Sequence, residues 1–252
     1  MPTALVTGAS SGLGKAFVTR LAARGYDLVL VARDAQRLQD VAGDLQHRFG
    51  CSAEVLPADL VDRSQLQHVA DRLSDSQRPV ELLVNNAGHA VRKPFVATSL
   101  QAEEDLLDLH VRATLVLTHA AVGAMAERGS GGVINVSSVA GWLPQGSYSA
   151  HKAWVTTFSQ AVASQVAGRG VHVMALAPGF VRTEFHQRAG IKADSIPAPA
   201  WLDADDVVEE TLRAWERGHA VHVPSTRYRA AATVLRNAPY ETVHRLRTRR
   251  RR

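Results

Sequence analysis

The feature that most constrains this chain is an alternation. Short apolar runs recur along it, and between them lie segments of helical length that close on glycine. The runs read as strands over residues 4–6, 27–32, 53–57, 81–84, 133–138, 171–177 and 220–223. They are largely continuous rather than alternating, the pattern of a strand buried on both faces. Helices are expected from the turn at 7–14 to Arg24, over 34–48 closed by Gly50, from Asp62 to about residue 74, and over 99–129, 147–167 and 203–217. Asp62 and Gln65 have the spacing of a capping box, and Ser99 suits an N-cap. Strands alternating with helices need crossover connections, so the sheet is expected to be parallel with helices on both faces. The prediction is an α/β fold with a single doubly wound parallel sheet of about seven strands, in one domain over residues 1–240. Residues 184–201, with Pro197 and Pro199 and no period, are too long for a simple connector and are expected to form a substrate loop.

Composition narrows the function classes. With 252 residues, 46% of them hydrophobic, the chain can bury a large core. Cys51 is its one cysteine, so no internal disulfide framework exists and a reducing compartment is suited. Met1 runs almost directly into the first strand, leaving no room for a signal peptide, and the apolar stretch 113–126 is interrupted by Thr114, Thr118 and His119. A cytoplasmic protein is therefore expected. The net charge of +5 is concentrated at one end: six arginines lie in residues 245–252, and without them 23 basic residues face 24 acidic ones. Residues 241–252 read as a basic, flexible tail on a neutral body. No aromatic residues are interleaved with it, which argues against nucleic-acid or membrane binding.

In doubly wound sheets ligands bind beyond the carboxyl ends of the strands, and the residues of chemical interest follow those ends. After the first strand comes Thr7-Gly8-Ala9-Ser10-Ser11-Gly12-Leu13-Gly14. Gly8 suits the turn, Gly12 lets backbone approach a pyrophosphate, and Gly14 lets the helix pack closely on the strand. The spacing is GxxxGxG rather than GxGxxG, so the motif alone also fits an ordinary glycine loop. Arg33 follows the second strand, where an acidic residue selects NAD and a basic one suits a 2′-phosphate, so NADP is favoured over NAD. The alternative is a surface arginine paired with Asp34 or Asp40. Asp59-Leu60 follows the third strand, and Asn85-Asn86-Ala87-Gly88 brings two amides and a glycine to the end of the fourth. Beyond the fifth, Ser138 precedes Tyr148 by ten residues, and Lys152 lies four further on, on the same helical face. An ammonium beside a phenol lowers the phenol pKa, making Tyr148 a candidate general acid or base with Ser138 holding a carbonyl or alcohol oxygen.

Residues 7–14, Asn85 to Gly88, the Ser138, Tyr148 and Lys152 set, and Pro178-Gly179 with Thr183 together resemble the short-chain dehydrogenase/reductase family, in order over residues 3–183. The resemblance implies a seven-stranded Rossmann-type sheet binding a nicotinamide dinucleotide. Tyr148 would exchange a proton with the substrate oxygen while hydride passes between substrate and nicotinamide. Lys152 would lower the Tyr148 pKa and bind the nicotinamide ribose, and Ser138 would orient the substrate oxygen. The glycine turn, with Ser10, Ser11 and Leu13, would meet the dinucleotide. Asn86, with Ala87 and Gly88, would lie near a ribose, Asp59 and Leu60 near adenine, and Val181 and Thr183, after Pro178 and Gly179, at the carboxamide. Arg33 resembles the NADP-preferring members, with Ser10 as a second phosphate partner; the other NADP pattern, a basic residue before Gly12, is absent because Ser11 stands there. A homo-oligomer, dimer or tetramer, built on the helices at 99–129 and 147–167, is also implied.

Two departures bear on mechanism. Where the family carries a relay asparagine, this chain has His110, and imidazole can also hold water and pass a proton; the alternative is a helix histidine with only local partners. The interval from Ser138 to Tyr148 is also short, so the segment 139–146 with Trp142 and Pro144 is trimmed, and Ser137 is a second candidate for the Ser138 role. No HExxH and no paired cysteines occur, and no metal site is expected. His151 and His186 are expected at the surface or the pocket fringe. Trp142, Phe180, Phe185, Ile191, Ile196 and Trp201 are expected to border the pocket and hint at an apolar carbonyl or alcohol substrate. The leading reading is an NADP(H)-dependent oxidoreductase. The second is a nucleotide-binding regulatory or interaction protein with weak or no catalysis, which His110 favours and the Ser138, Tyr148 and Lys152 set opposes.

Overall fold

The computed structural model describes residues 1–90, 93–185 and 196–237. His186, Ile191, most of the 184–201 segment and the arginine tail lie outside the described residues. Nine strands appear among the described residues: β1 Thr3–Thr7, β2 Asp27–Ala32, β3 Ala53–Pro57, β4 Leu82–Asn85, β5 Gly131–Val136, β6 Val171–Leu176, β7 Phe180–Val181, β8 Trp201–Leu202 and β9 Val221–His222. The helices are α1 Gly12–Ala22, α2 Ala35–Phe49, α3 Arg63–Ser74, α4 Leu100–Leu107, α5 Ala113–Arg128, α6 Ser147–Gln165, α7 Ala204–Glu216 and α8 Thr226–Asn237. Seven strands form one parallel sheet in the order β3-β2-β1-β4-β5-β6-β9. The small β7-β8 pair stands apart from it.

Both faces of the sheet are buried, as the continuous apolar runs require. In β1, Ala4 and Val6 pack with Phe17 and Leu21 of α1, Leu38 of α2 and Leu212 of α7. Leu5, on the opposite face, packs with Leu66 and Leu73 of α3 and Leu117 of α5. A fully buried leucine contributes about 1.5–3 kcal/mol relative to exposure, so these two layers hold the sheet between them. The helix stops follow local chemistry: Gly50 and Gly129 close α2 and α5 in the left-handed conformation. Ser99 and Asp203 cap their helices as N-caps should.

The sequence reading differs from the structure at four places. The capping box at Asp62 is half formed: Asp62 accepts the Ser64 and Gln65 amides, but the Gln65 side chain accepts from Asp59 N at 2.8 Å instead of returning to Asp62. The helix expected over 99–129 contains a π turn at Asp108–Arg112 between α4 and α5. The run 100–128 is long and apolar enough to cross a membrane by length and composition, yet Leu106, Leu117, Ala121 and Met125 are buried within the fold. The fifth strand lies over Gly131–Val136; Ser137 N still donates to the Leu176 carbonyl at 2.6 Å, while its side chain turns to α6 and Ser138 lines the cleft. Finally, β7, β8 and α8 were not expected at all.

A buried amide network ties the sheet to its helices. Asn85 and Asn135 are register partners, and Asn85 Nδ2 donates to Asn135 Oδ1 at 2.9 Å and to Thr118 Oγ1 of α5 at 3.1 Å. Asn135 Nδ2 donates in turn to Ser159 Oγ of α6 at 3.0 Å. Removing one member strands the others in a medium without water, at about 1–3 kcal/mol for each unpaired group. Asn135→Ala is therefore expected to lower unfolding free energy by about 2 kcal/mol or more in denaturant titration. A loss below about 0.5 kcal/mol would show that the network carries no stability.

Candidate active site

Every expected site residue except Gly14 lines a single cleft of about 1430 Å³ at the carboxyl ends of the strands. Gly14 lies behind the cleft, where a Cβ would overlap the Gly8 carbonyl oxygen, so glycine there lets α1 seat on the turn. Gly8 and Gly12 take φ of +67° and +54°, which favours residues without a Cβ. Ser11 is the N-cap of α1, but its side chain makes no capping bond, and the first turn carries no acidic residue. The α1 amides thus have no side-chain partner and present positive character to the cleft, which fits a pyrophosphate. Arg33 is exposed at the same end and has no ion pair among the described residues. Its candidate partners are engaged elsewhere: Asp34 caps α2 and lies 3.5 Å from Arg37, and Asp40 accepts from Gln36.

The floor comes from β4. Asn86 Nδ2 donates to the Thr7 carbonyl at 2.9 Å, so this amide braces the glycine turn while its residue lines the cleft. Asn85 points into the network described above and takes no part in the site.

At the other end, the two serines differ in what their hydroxyls engage. The Ser137 hydroxyl is buried and bonded to the Lys152 carbonyl at 2.6 Å and to Thr156 Oγ1 at 2.7 Å. Ser138 is half-buried in the cleft, its Oγ accepts from Ala140 N at 3.1 Å, and Tyr148 lines the same cleft. Lys152 is buried, and its Nζ donates to the Val136 carbonyl at 2.8 Å, 5.8 Å from the Tyr148 ring centroid.

The electrostatics correct one expectation. Burial pushes the Tyr148 phenol up to about 12, with the Ser138 side chain pulling the other way. Burial also brings the Lys152 ammonium down to about 7. The phenol is thus raised rather than lowered, because burial penalises its charged form, and the same burial favours the neutral amine of Lys152.

His110 is fully enclosed, carried into the site by the π turn. Its Nε2 lies 2.7 Å from the His89 carbonyl oxygen, which fixes the hydrogen on Nε2 and leaves Nδ1 as the acceptor, buried without a partner among the described residues. Its ring meets the Tyr148 ring edge to face at 5.5 Å. A Cβ on Gly88 would run into this imidazole, which explains glycine at that position. Burial, reinforced by Lys152, holds the His110 pKa well below the usual range, so the ring is neutral. The reading of His110 as a helix histidine with only local partners is thereby set aside. His151, expected at the surface or fringe, is instead buried and stacked on His110 at 6.1 Å.

Of the expected apolar border, Phe180, Phe185 and Ile196 line the cleft. Trp142 packs under Arg236 of α8, and Trp201 packs against Phe180 and Arg182. The far wall, missed from sequence, is α8, through Tyr228, Ala231, Ala232 and Leu235. Their i, i+3, i+4, i+7 spacing was the available signal.

Comparison with known proteins agrees with this arrangement. The family model described as short chain dehydrogenase matches residues 2–193. The chain is 37% identical over 186 residues to sulfoacetaldehyde reductase 2 of Chromohalobacter salexigens, covering 72% of this chain and 73% of that protein. A short-chain dehydrogenase from Sphingobium yanoikuyae, solved in complex with NADPH, superposes with a TM-score of 0.87 at 35% identity, covering 93% of each chain. The bulky-bulky ketone specific alcohol dehydrogenase of Comamonas testosteroni superposes with a TM-score of 0.81 at 30% identity, covering 95% of each. The chain belongs to the short-chain dehydrogenase/reductase family and is an oxidoreductase built on its Rossmann-type fold.

Proposed function

We propose that this enzyme uses NADP(H) to interconvert a bulky, largely apolar carbonyl compound and its alcohol, with Tyr148 as general acid and base. The observation that carries the reading is the shared cleft: Ser138, Tyr148 and Lys152 stand at one end, and an uncapped helix start with the unpaired Arg33 stands at the other. The NADPH held by the Sphingobium neighbour and the ketone named for the Comamonas enzyme support cofactor and substrate class.

Bound nicotinamide would supply or accept the hydride. Ser138 Oγ holds the substrate oxygen next to Tyr148, which lines the same cleft. Tyr148, protonated at neutral pH, gives its proton to the carbonyl oxygen during reduction. Lys152 Nζ keeps two further N–H groups beyond its bond to Val136 for the ribose hydroxyls. His110 Nδ1, an acceptor, holds a water beside Tyr148, and that water passes a proton to the phenolate while taking one from bulk solvent. The exposed apolar side chains Phe95, Val96, Leu100 and Leu115, on and just before the helices within 100–128, support a homo-oligomer. A solution mass of a single 27.2 kDa chain would remove that part of the reading.

Fluorescence titration tests the cofactor first. NADPH is expected to bind more tightly than NADH, and Arg33→Ala to weaken NADPH by about tenfold, or about 1.4 kcal/mol, while leaving NADH unchanged. Equal loss for both nucleotides would detach Arg33 from the 2′-phosphate, and binding of neither would end the oxidoreductase reading. The pH dependence tests the acid. A phenol raised by burial keeps its proton at neutral pH, so carbonyl reduction should hold steady from pH 6 to about 8, and alcohol oxidation, which needs the phenolate, should rise with pH. Oxidation falling over that range would exclude Tyr148 as the base. In the same assays His110→Ala should lower kcat several-fold more than it weakens NADPH; unchanged turnover would remove His110 from the mechanism.

A further inference from the structure

Tyr228 lies outside every motif in the sequence and takes no part in the chemistry above, yet it joins three segments around one end of the cleft. The backbone Pro178–Val181 leaves β6 and forms one bank. It is pinned on one side by Val139 N, which donates to the Pro178 carbonyl at 3.1 Å. On the other side Phe180 and Val181 pair in parallel with Trp201 and Leu202 of β8, across the opening of the 182–200 segment.

Tyr228 of α8 stands over this junction. Its hydroxyl donates to the Ala200 carbonyl at 2.7 Å and accepts from the Phe180 amide at 3.2 Å, using one donor and one acceptor site of the phenol. Its ring covers Gly179, where a Cβ would overlap the ring carbons. Gly179 is not among the glycines with positive φ, so the ring, and not a turn, requires glycine there. Arg227, the preceding residue, donates to the Trp201 carbonyl at 3.1 Å and so ties α8 to the β8 bank alone.

We propose that Tyr228 is a positioning residue for the nicotinamide end of the cofactor, holding the 178–181 backbone at the depth that turns the reactive ring toward Tyr148. The inference rests on the cofactor reading of the cleft. Its physical content is a division of labour along the dinucleotide. The adenosine end is held by the glycine turn and Arg33, and among the described residues Tyr228 hydrogen-bonds neither, only Phe180 and Ala200. The nicotinamide end faces backbone whose depth depends on one phenol. Loss of the hydroxyl removes both of its bonds and leaves the two banks joined by the short β7–β8 pairing without the tie from α8. A small displacement of a reacting group costs rate steeply, because transfer depends on distance and alignment.

The test compares NADPH with adenosine 2′,5′-bisphosphate, which carries the adenosine and 2′-phosphate end and no nicotinamide. Calorimetric affinities are measured for the wild type, Tyr228→Phe, Gly179→Ala and Arg227→Ala, with kcat for a bulky ketone alongside. Tyr228→Phe should bind the bisphosphate like the wild type, bind NADPH about fivefold or more weakly, and lose about tenfold in kcat. Gly179→Ala keeps the hydroxyl but displaces the ring from the other side, and should show the same separation of the two affinities. It also keeps the inference testable if Tyr228→Phe fails to fold. Arg227→Ala should lower the melting temperature without separating them. NADPH and bisphosphate affinities that stay in their wild-type ratio in both Tyr228→Phe and Gly179→Ala would overturn this inference alone, whatever happens to stability. A wild-type protein that binds neither nucleotide would overturn it together with the cofactor reading.

Discussion

The hydroxyl of Thr7 sets the geometry on which the site depends. At the carboxyl end of β1 it accepts the Asn86 and Ala87 amides, each at 2.9 Å, and lies 3.4 Å from the Val84 carbonyl. The Asn86 side chain returns a bond to the Thr7 carbonyl. β1 and β4 are the central neighbours between which the strand order reverses, so a crevice must open beyond their ends. Binding the two ends past the last ladder bond satisfies buried backbone groups and turns two loops into one floor. Gly8 and Gly14 can meet on that floor, and α1 can start there with its amides unspent.

Opposite this floor, burial governs the chemistry. Tyr148, Lys152 and His110 are shifted in the direction that favours their neutral forms, each mainly by desolvation. A phenol and an imidazole that stay neutral in a low dielectric leave the site's electrostatic strength to Lys152 and to whatever charge enters it. The site's hydrogen bonds also have set directions: the His89 carbonyl fixes the His110 tautomer, and the Val136 carbonyl accepts one Lys152 N–H. The buried amide network behind β4 and β5 keeps these groups from shifting, because each amide is held from both sides.

Much of this was legible from local pattern. Continuous apolar runs such as 27–32 marked strands buried on two faces, glycines at 50 and 129 marked helix stops, and the Tyr148 and Lys152 spacing placed two groups on one helical face. The π turn was not legible, because one extra residue per turn leaves no trace in a helical period. The choice between Ser137 and Ser138 depended on which hydroxyl α6 would engage. The part played by α8 was hidden for a similar reason: Tyr228 reaches a backbone amide 48 residues earlier in the chain.

The sequence by itself determined the order of the seven strands of the main sheet and the helices between them, the parallel pairing they imply, and that the glycine turn, the β4 amides and the Tyr148 and Lys152 pair fall beyond strand ends. Those follow from periodicity, from glycine's freedom at φ above zero, and from the spacing of side chains along a helix, all of which act over a few residues. The tertiary structure alone decided the pKa directions of Tyr148 and Lys152, the enclosure of His110 and His151, and the wall that α8 closes over the cleft. Desolvation and packing are set by what lies around a group in space, and no local stretch of chain records it.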